Sequence, residues 1–529
     1  DLIHNAVEAE NGSVVCMEPS ADMTYNISYN VRLVNASEYS VDSFECLRGF
    51  ISGLYAGNYD ISHVFVDNLC KIAGTSDLMA VEKFLNWLER FSEKNSVNPV
   101  TGDVACDFYH HYEEDIRMLA EGGQNAYRFS IAWTRILPDG TGRKSQEGID
   151  FYHPAIDNCR KYHVEPLVSL SHYDLPESIY EAGGWENRNI VEQFVEYARI
   201  CFEEYGQKVN YWVTINEPNY ETLCCYGFGN YPPNVKDLGR RWRAMHHTLL
   251  ASARAVAVFR ELRLPGTVGL VSDSYPIAVL TDNEAHRKAA HMADLFFNLC
   301  VNDVCVKGAY PQDFLDQLKK DGYDLSYMKE EDPSIFADGC VDYLGINAYN
   351  RYIAEPADGP ETNLGVNNTG DGKKTKFQIG NWFSLGEDSE MEKTPWGMEI
   401  NPRSIYDLLM DLKRLYPQIP VIITENGVGN YDEVVDGQIH DQYRIAYLEG
   451  YVDWIERAME DGCTVLGYFV WSTMDVYSWI NGYKKRYGLV YIDYDSDDLV
   501  RIPKDSYYWY KNKIQNRRKS FNGKIHSIY

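Results

Sequence analysis

From about residue 100 onward the chain follows a two-beat pattern. Short runs of β-branched and aromatic residues alternate with longer stretches whose apolar positions return every three or four residues. The short runs predict strands: AYRFSIAW (126–133), VEPLVSLSH (164–172), VNYWVTINEP (209–218), TVGLVSDSYP (267–276), VDYLGINAYN (341–350), PVIITENG (420–427) and VLGYFVWSTMD (465–475). Between them, NIVEQFVEYARICFEEYG (189–206) and RIAYLEGYVDWIERAMEDG (444–462) have helical spacing. Strands that are apolar on both faces and separated by helices predict a parallel sheet covered on its outside. Seven such strands need one more to close an eight-stranded (β/α)8 barrel. The candidate for that place lies near LCKIAGTSDL (69–78), the weakest strand pattern of the set.

The first 65 residues stand outside this rhythm. An alternating stretch, MTYNISYNVRLVNAS, precedes a helical one, so residues 1–65 are expected to be an extension and 66–529 the barrel. Residues 358–382 are rich in Gly, Asn and Lys and predict a long loop beside the carboxyl edge of the sheet.

Composition narrows the partners. Acidic side chains number 78 against 50 basic ones, a formal charge of -28. That balance argues against nucleic acid or an anionic membrane as partner, and no apolar run approaches the ~20 residues of a membrane span. It leaves a small anionic ligand open, because a pocket's local charge can oppose the global one. Twelve cysteines without a repeated CxxC pattern suit the reducing cytoplasm. The sequons at Asn11, Asn26, Asn35 and Asn367 are the argument for secretion instead. No signal peptide is visible and no metal-ligand spacing such as HExxH occurs, so neither metal nor organic cofactor is expected.

Two of the strands end in a glutamate set among polar and turn-forming residues: TINEP, with Glu217, and ITENG, with Glu425. The carboxyl ends of barrel strands carry catalytic side chains, because the loops there form the main cleft. Two carboxyls about 5–5.5 Å apart suit a retaining glycosidase. Read alone, each glutamate is equally a helix-capping or loop residue.

Together, TINEP and ITENG resemble the paired signatures of glycoside hydrolase family 1. The resemblance runs from about residue 84 to about 512. It includes DFYHHYEEDIRMLAEGGQNAYRFSIAWTRILPDG, SLSHYDLPES and WSTMDVYSW. It implies that Glu217 is the acid/base and Glu425 the nucleophile. Asn216 would meet the sugar 2-hydroxyl, His172 the 3-hydroxyl, and Arg128 would sit beside the nucleophile and keep it ionised. Tyr349 would donate to Glu425, Asn347 would line the same wall, and Trp471 would floor the sugar ring.

Within the family, ordinary glucosidases carry a glutamate where this chain has Ser478. The spacing Ser478, Lys485, Tyr487 resembles the 6-phosphate pocket of the 6-phospho-β-glycosidases, and Trp479 resembles the 6-phospho-β-galactosidase branch. The resemblance therefore implies a cytoplasmic enzyme hydrolysing disaccharide 6-phosphates such as lactose 6-phosphate. A 6-phospho-β-glucosidase or dual enzyme is the nearest alternative; a plain β-glucosidase and a non-catalytic sugar-phosphate binder are further ones. One feature departs from the family. Its first strand carries a sugar-binding glutamine, and the best counterpart here, GTSDLMAVEK, puts Ala80 in that place.

Overall fold

The structure is a computed structural model. It describes residues 13–19, 31–57, 61–95, 102, 104–367, 375–494, 496 and 498–526. Asn11, Asn26, most of the alternating amino-terminal stretch and the middle of the 358–382 segment lie outside the described residues. The chain forms two compact units, residues 1–103 and 104–529.

The first unit is a small α/β fold. Strands β1 (Ser13–Glu18), β2 (Val31–Asn35) and β3 (Ile61–Val66) form a parallel sheet in the order β2-β1-β3. Helices α1 (Phe44–Gly57) and α2 (Leu78–Asn95) accompany it, with Phe44 stacked on Phe84 at 4.9 Å. Val15, Met17, Leu47, Ile72 and Phe84 share one core. This corrects two expectations. The boundary falls after residue 103 and not after 65, because Ile72, Ala73 and Phe84 are buried in this core and Val81, Trp87, Leu88 and Phe91 pack against it. LCKIAGTSDL is no strand but a single helical turn, Leu69–Ile72, a turn, and the start of α2. The spacing of Val81, Phe84 and Leu88 on α2 is a helix's, and tertiary contacts made locally win over the weak strand signal.

In the second unit, all seven expected strands form. They are β4 (Ala126–Ser130), β5 (Glu165–Ser169), β6 (Tyr211–Asn216), β7 (Thr267–Asp273), β8 (Tyr343–Asn347), β9 (Val421–Asn426) and β10 (Val465–Val470). They pair in parallel in the order β10-β9-β8-β7-β6-β5-β4, the barrel arrangement with helices between the strands. Successive residues point to opposite faces. Leu167, Val213, Val271, Tyr343 and Ile422 pack together as one small cluster inside. Their neighbours Val168, Trp212, Leu270, Leu344 and Ile423 join the large core beneath the helices. Among the described residues no strand pairs with both β10 and β4, so the sheet has two ends there.

Part of the expected 358–382 loop is strand. Asn363–Leu364 and Phe377–Ile379 pair with each other and continue through Phe383–Gly386 and Tyr352–Glu355 as a small sheet. No helix among the described residues is long and apolar enough to cross a membrane.

Candidate active site

The polar residues of the second unit gather where β6, β8 and β9 end. Strands β6 and β9 each shift register just before their glutamate, between Val213 and Asn216 and between Ile423 and Glu425. Such irregularities re-aim side chains at strand ends. Glu217 itself takes a left-handed backbone, φ 46°, and caps the helix Pro218–Leu223. A non-glycine residue held there carries strain of a kind concentrated at functional sites.

Each carboxyl is held by two donors. Glu425 accepts from Arg128 Nη1 at 2.6 Å and from the Tyr349 hydroxyl at 2.6 Å. Glu217 accepts from Asn347 Nδ2 at 2.6 Å and from the Tyr173 hydroxyl. Asn216 joins the two halves: its Oδ1 receives Arg128 Nη2 at 2.6 Å and Asn347 Nδ2 at 3.2 Å. Its Nδ2 is buried without a partner among the described residues. The Asn347 amide is fixed in turn by Thr424, whose hydroxyl donates to it at 2.7 Å. Asn347 is opposite Glu425 in the sheet.

Burial raises the Glu217 pKa well above the carboxylate range, and the charges of Asp273 and Glu425 add to that. A protonated acid near neutral pH is what general-acid catalysis needs. His172 moves the other way. Burial, then Arg128, pushes it down to about 3, so it is a neutral imidazole. It stacks on Trp471 with ring centroids 5.8 Å apart.

The 471–489 segment hangs from a buried ionic lattice. Arg444 contacts Asp441 at 2.7 Å and Asp432 at 2.9 Å, and donates to the carbonyls of Val428 and Tyr487. Lys504 bridges Asp432 and Asp475 at 2.6 and 2.8 Å. Asp475 accepts from the Gly488 amide and pairs with Arg486 at 3.1 Å. Arg486 is therefore a structural cation, and Lys484 is exposed.

Lys485 differs from both. Its ammonium lies 4.9 Å from the Trp396 ring centroid and 5.3 Å from that of Tyr487, and it forms no ion pair among the described residues. Tyr487 sits edge-on to Tyr349, 6.4 Å away, on the Glu425 side. Ser478 Oγ accepts from the Asn481 amide at 3.1 Å, while Asn481 Oδ1 receives the Trp396 indole at 2.7 Å. A side chain at Gly429 would meet Tyr487 and Lys485 at 2.6 and 2.7 Å, so the close approach requires glycine. Trp479 stands apart, 48% exposed and 5.0 Å from Tyr231.

The site residues expected from the sequence thus gather, except Trp479, which reaches the site only through Tyr231 and Tyr173 among the described residues. Ala80 lies on α2 in the other unit and packs with that core, so it replaces nothing in the barrel. Sequence reasoning also missed Asp273, Tyr173, Trp396 and Asn481. Asp273 carried a signal, an acid closing the apolar strand β7. It is buried, with its pKa raised to about 8, first by burial, and it accepts from the Tyr275 hydroxyl.

The profile of Glycosyl hydrolase family 1 matches residues 82–519. The chain is 37% identical to the 6-phospho-beta-galactosidase of Clostridium acetobutylicum, over 78% of this chain and 88% of that protein. It is 37% identical to Beta-glucosidase A of Thermotoga maritima, over 80% and 89%. It is 36% identical to the Aryl-phospho-beta-D-glucosidase BglC of Bacillus subtilis, over 79% and 89%. The solved Family 1 b-glucosidase from Thermotoga maritima superposes with a TM-score of 0.69 at 36% identity, covering 79% of this chain and 88% of that one. The chain belongs to glycosyl hydrolase family 1 and is a retaining β-glycosidase with the family's barrel fold.

Proposed function

We propose that this β-glycosidase acts on β-glycosides whose sugar is phosphorylated at the 6-position, foremost 6-phospho-β-galactosides such as lactose 6-phosphate. Glu425 attacks the anomeric carbon while Glu217 gives its proton to the leaving oxygen. Water, activated by Glu217, then releases the sugar phosphate. Arg128 and Tyr349 hold the nucleophile, and Asn216 Nδ2 donates to the 2-hydroxyl. Asn347 positions Glu217, the neutral His172 meets the 3-hydroxyl, and Trp471 lies under the ring.

The observation that carries the phosphate reading is the situation of Lys485. It is a half-buried ammonium on the nucleophile's side with no acid paired to it among the described residues, and Trp396 and Asn481 link it to the neutral Ser478. Ser478, Lys485 and Tyr487 supply a hydroxyl, an ammonium and a phenol to a dianionic ester. A carboxylate at position 478 would repel that ester. The names of two of the relatives support the same substrate class. Such substrates are made inside cells, which favours a cytoplasmic enzyme.

The test is kcat/KM on o-nitrophenyl β-galactoside with and without the 6-phosphate. The phosphorylated form is expected to be favoured at least about a hundredfold, since charge-assisted contacts contribute roughly 1.5–3 kcal/mol each. Equal rates overturn the reading. The gluco epimer decides the second reading, a 6-phospho-β-glucosidase or dual enzyme, which the Bacillus subtilis relative's name favours.

A further inference from the structure

A cavity of about 720 Å³ opens on the acid/base side of the site. Tyr173, whose hydroxyl donates to Glu217, forms part of its wall, and Tyr231 and Trp479 continue that wall. Any group leaving from the oxygen that Glu217 protonates departs toward this side.

The cavity is acidic and aromatic at once. Asp174, Glu177, Glu181, Glu186 and Glu221 line it, against a single cation, Arg240, which is already bound to Glu186 at 2.6 Å. Glu221 is 4% exposed. Its Oε1 receives the Trp185 indole at 3.2 Å, and its Oε2 is buried with no hydrogen-bond partner. Asp174 accepts from the His172 amide at 3.1 Å. Neither acid forms an ion pair among the described residues. Tyr180, Trp185, Tyr226 and Trp479 present ring faces and edges around them.

An unpartnered buried carboxyl oxygen is costly unless something donates to it. A cation among aromatic rings is stabilised by their faces, and one beside two carboxyls gains further. Burial pushes Glu221 up to about 8 and Asp174 up to about 7, and a neighbouring cation draws both back toward the charged form, whereas an anion would push both further up. We infer that this cavity binds the aglycone, and that it selects an aromatic leaving group bearing a protonated amine, which donates to Glu221 Oε2. The inference rests on the catalytic roles proposed above for Glu217 and Glu425. It adds the leaving-group class that the same site accepts.

Two substrates with one glycone test it: the 4-(2-aminoethyl)phenyl and 4-propylphenyl β-glycosides, near isosteres differing in charge. The cationic aglycone is expected to have a kcat/KM about tenfold higher or more, carried mainly by KM. In Glu221→Gln that ratio should fall toward unity. A wild-type ratio at or below one, or a ratio unchanged in Glu221→Gln, overturns the inference. A second measurement uses the native protein alone, in case the variant does not fold. Phenethylamine should inhibit competitively at least about tenfold more tightly than 2-phenylethanol, and equal inhibition overturns the inference. Running the pair on both galactose 6-phosphate and galactose separates the failures. Loss of the phosphate preference with the amine preference retained sinks only the reading of Lys485.

Discussion

Strands β6 to β9 and strands β4 and β10 belong to one sheet, yet their surroundings are opposite. In β8 and β9 every residue is buried, and in β6 and β7 all but the first. Strand β10 has no fully buried residue and β4 has one, Phe129. Leu466, the second residue of β10, is 52% exposed. Glu217 and Glu425, with Asn347 and Asp273, stand on the closed wall. Only Arg128 reaches them from the edge, spanning from β4 to Glu425 and Asn216. The two carboxyls thus sit where strands are paired on both sides, and one guanidinium ties the edge strand β4 to them.

The largest test of that division is chemical. Glu425→Gln on the closed wall should cost roughly 10⁴-fold or more in kcat, as loss of a covalent nucleophile does. Arg128→Lys on the edge keeps the charge but loses the fork that serves two partners, and about 10- to 100-fold is expected. If steady-state kinetics show equal losses, the edge serves the chemistry as much as the wall does.

A stability pair carries the same contrast further. Ile423→Ala in β9 should destabilise the barrel by about 2–5 kcal/mol, and Leu466→Ala in β10 by no more than about 0.5 kcal/mol. Urea denaturation followed by tryptophan fluorescence measures both. Comparable losses would mean that the β10 edge is covered in solution.

The smallest effect is a shift of a pH profile. Asp273 is pushed up to about 8, so above that pH its charge opposes ionisation of Glu217. Asp273→Asn removes that opposition. Glu217 then loses its proton at lower pH, and the basic limb of the kcat profile should move down. A limb that stays put, or rises, contradicts the assignment of Glu217 as the acid that Asp273 tunes.

Much of this was legible in the residues because the closed wall is written in local terms. Seven runs of β-branched and aromatic residues became seven strands, and in β5 to β9 burial on both faces leaves no competing pattern. TINEP and ITENG marked the strand ends. The edge was misread because LCKIAGTSDL has only a weak strand signal. Its fate depended on packing against Phe44 and Leu47, which no pattern within the segment encodes. Tyr173, Trp396 and Asn481 act through contacts across long stretches of chain that spacing along a sequence does not reveal, while Asp273 carried a local signal that went unread.

The lattice beneath the 471–489 segment has a consequence for how ionic strength should act on the enzyme. Arg444, Lys504, Asp432 and Asp475 are almost wholly shielded from solvent, so added salt barely screens them and the segment keeps its place. Lys485 is half open, so the attraction for a charged ester proposed for it would weaken as counter-ions accumulate. Raising the concentration of potassium chloride should therefore increase KM for a phosphorylated substrate while leaving the melting temperature nearly constant, dividing neighbouring cations into one that holds the loop and one that holds the ligand.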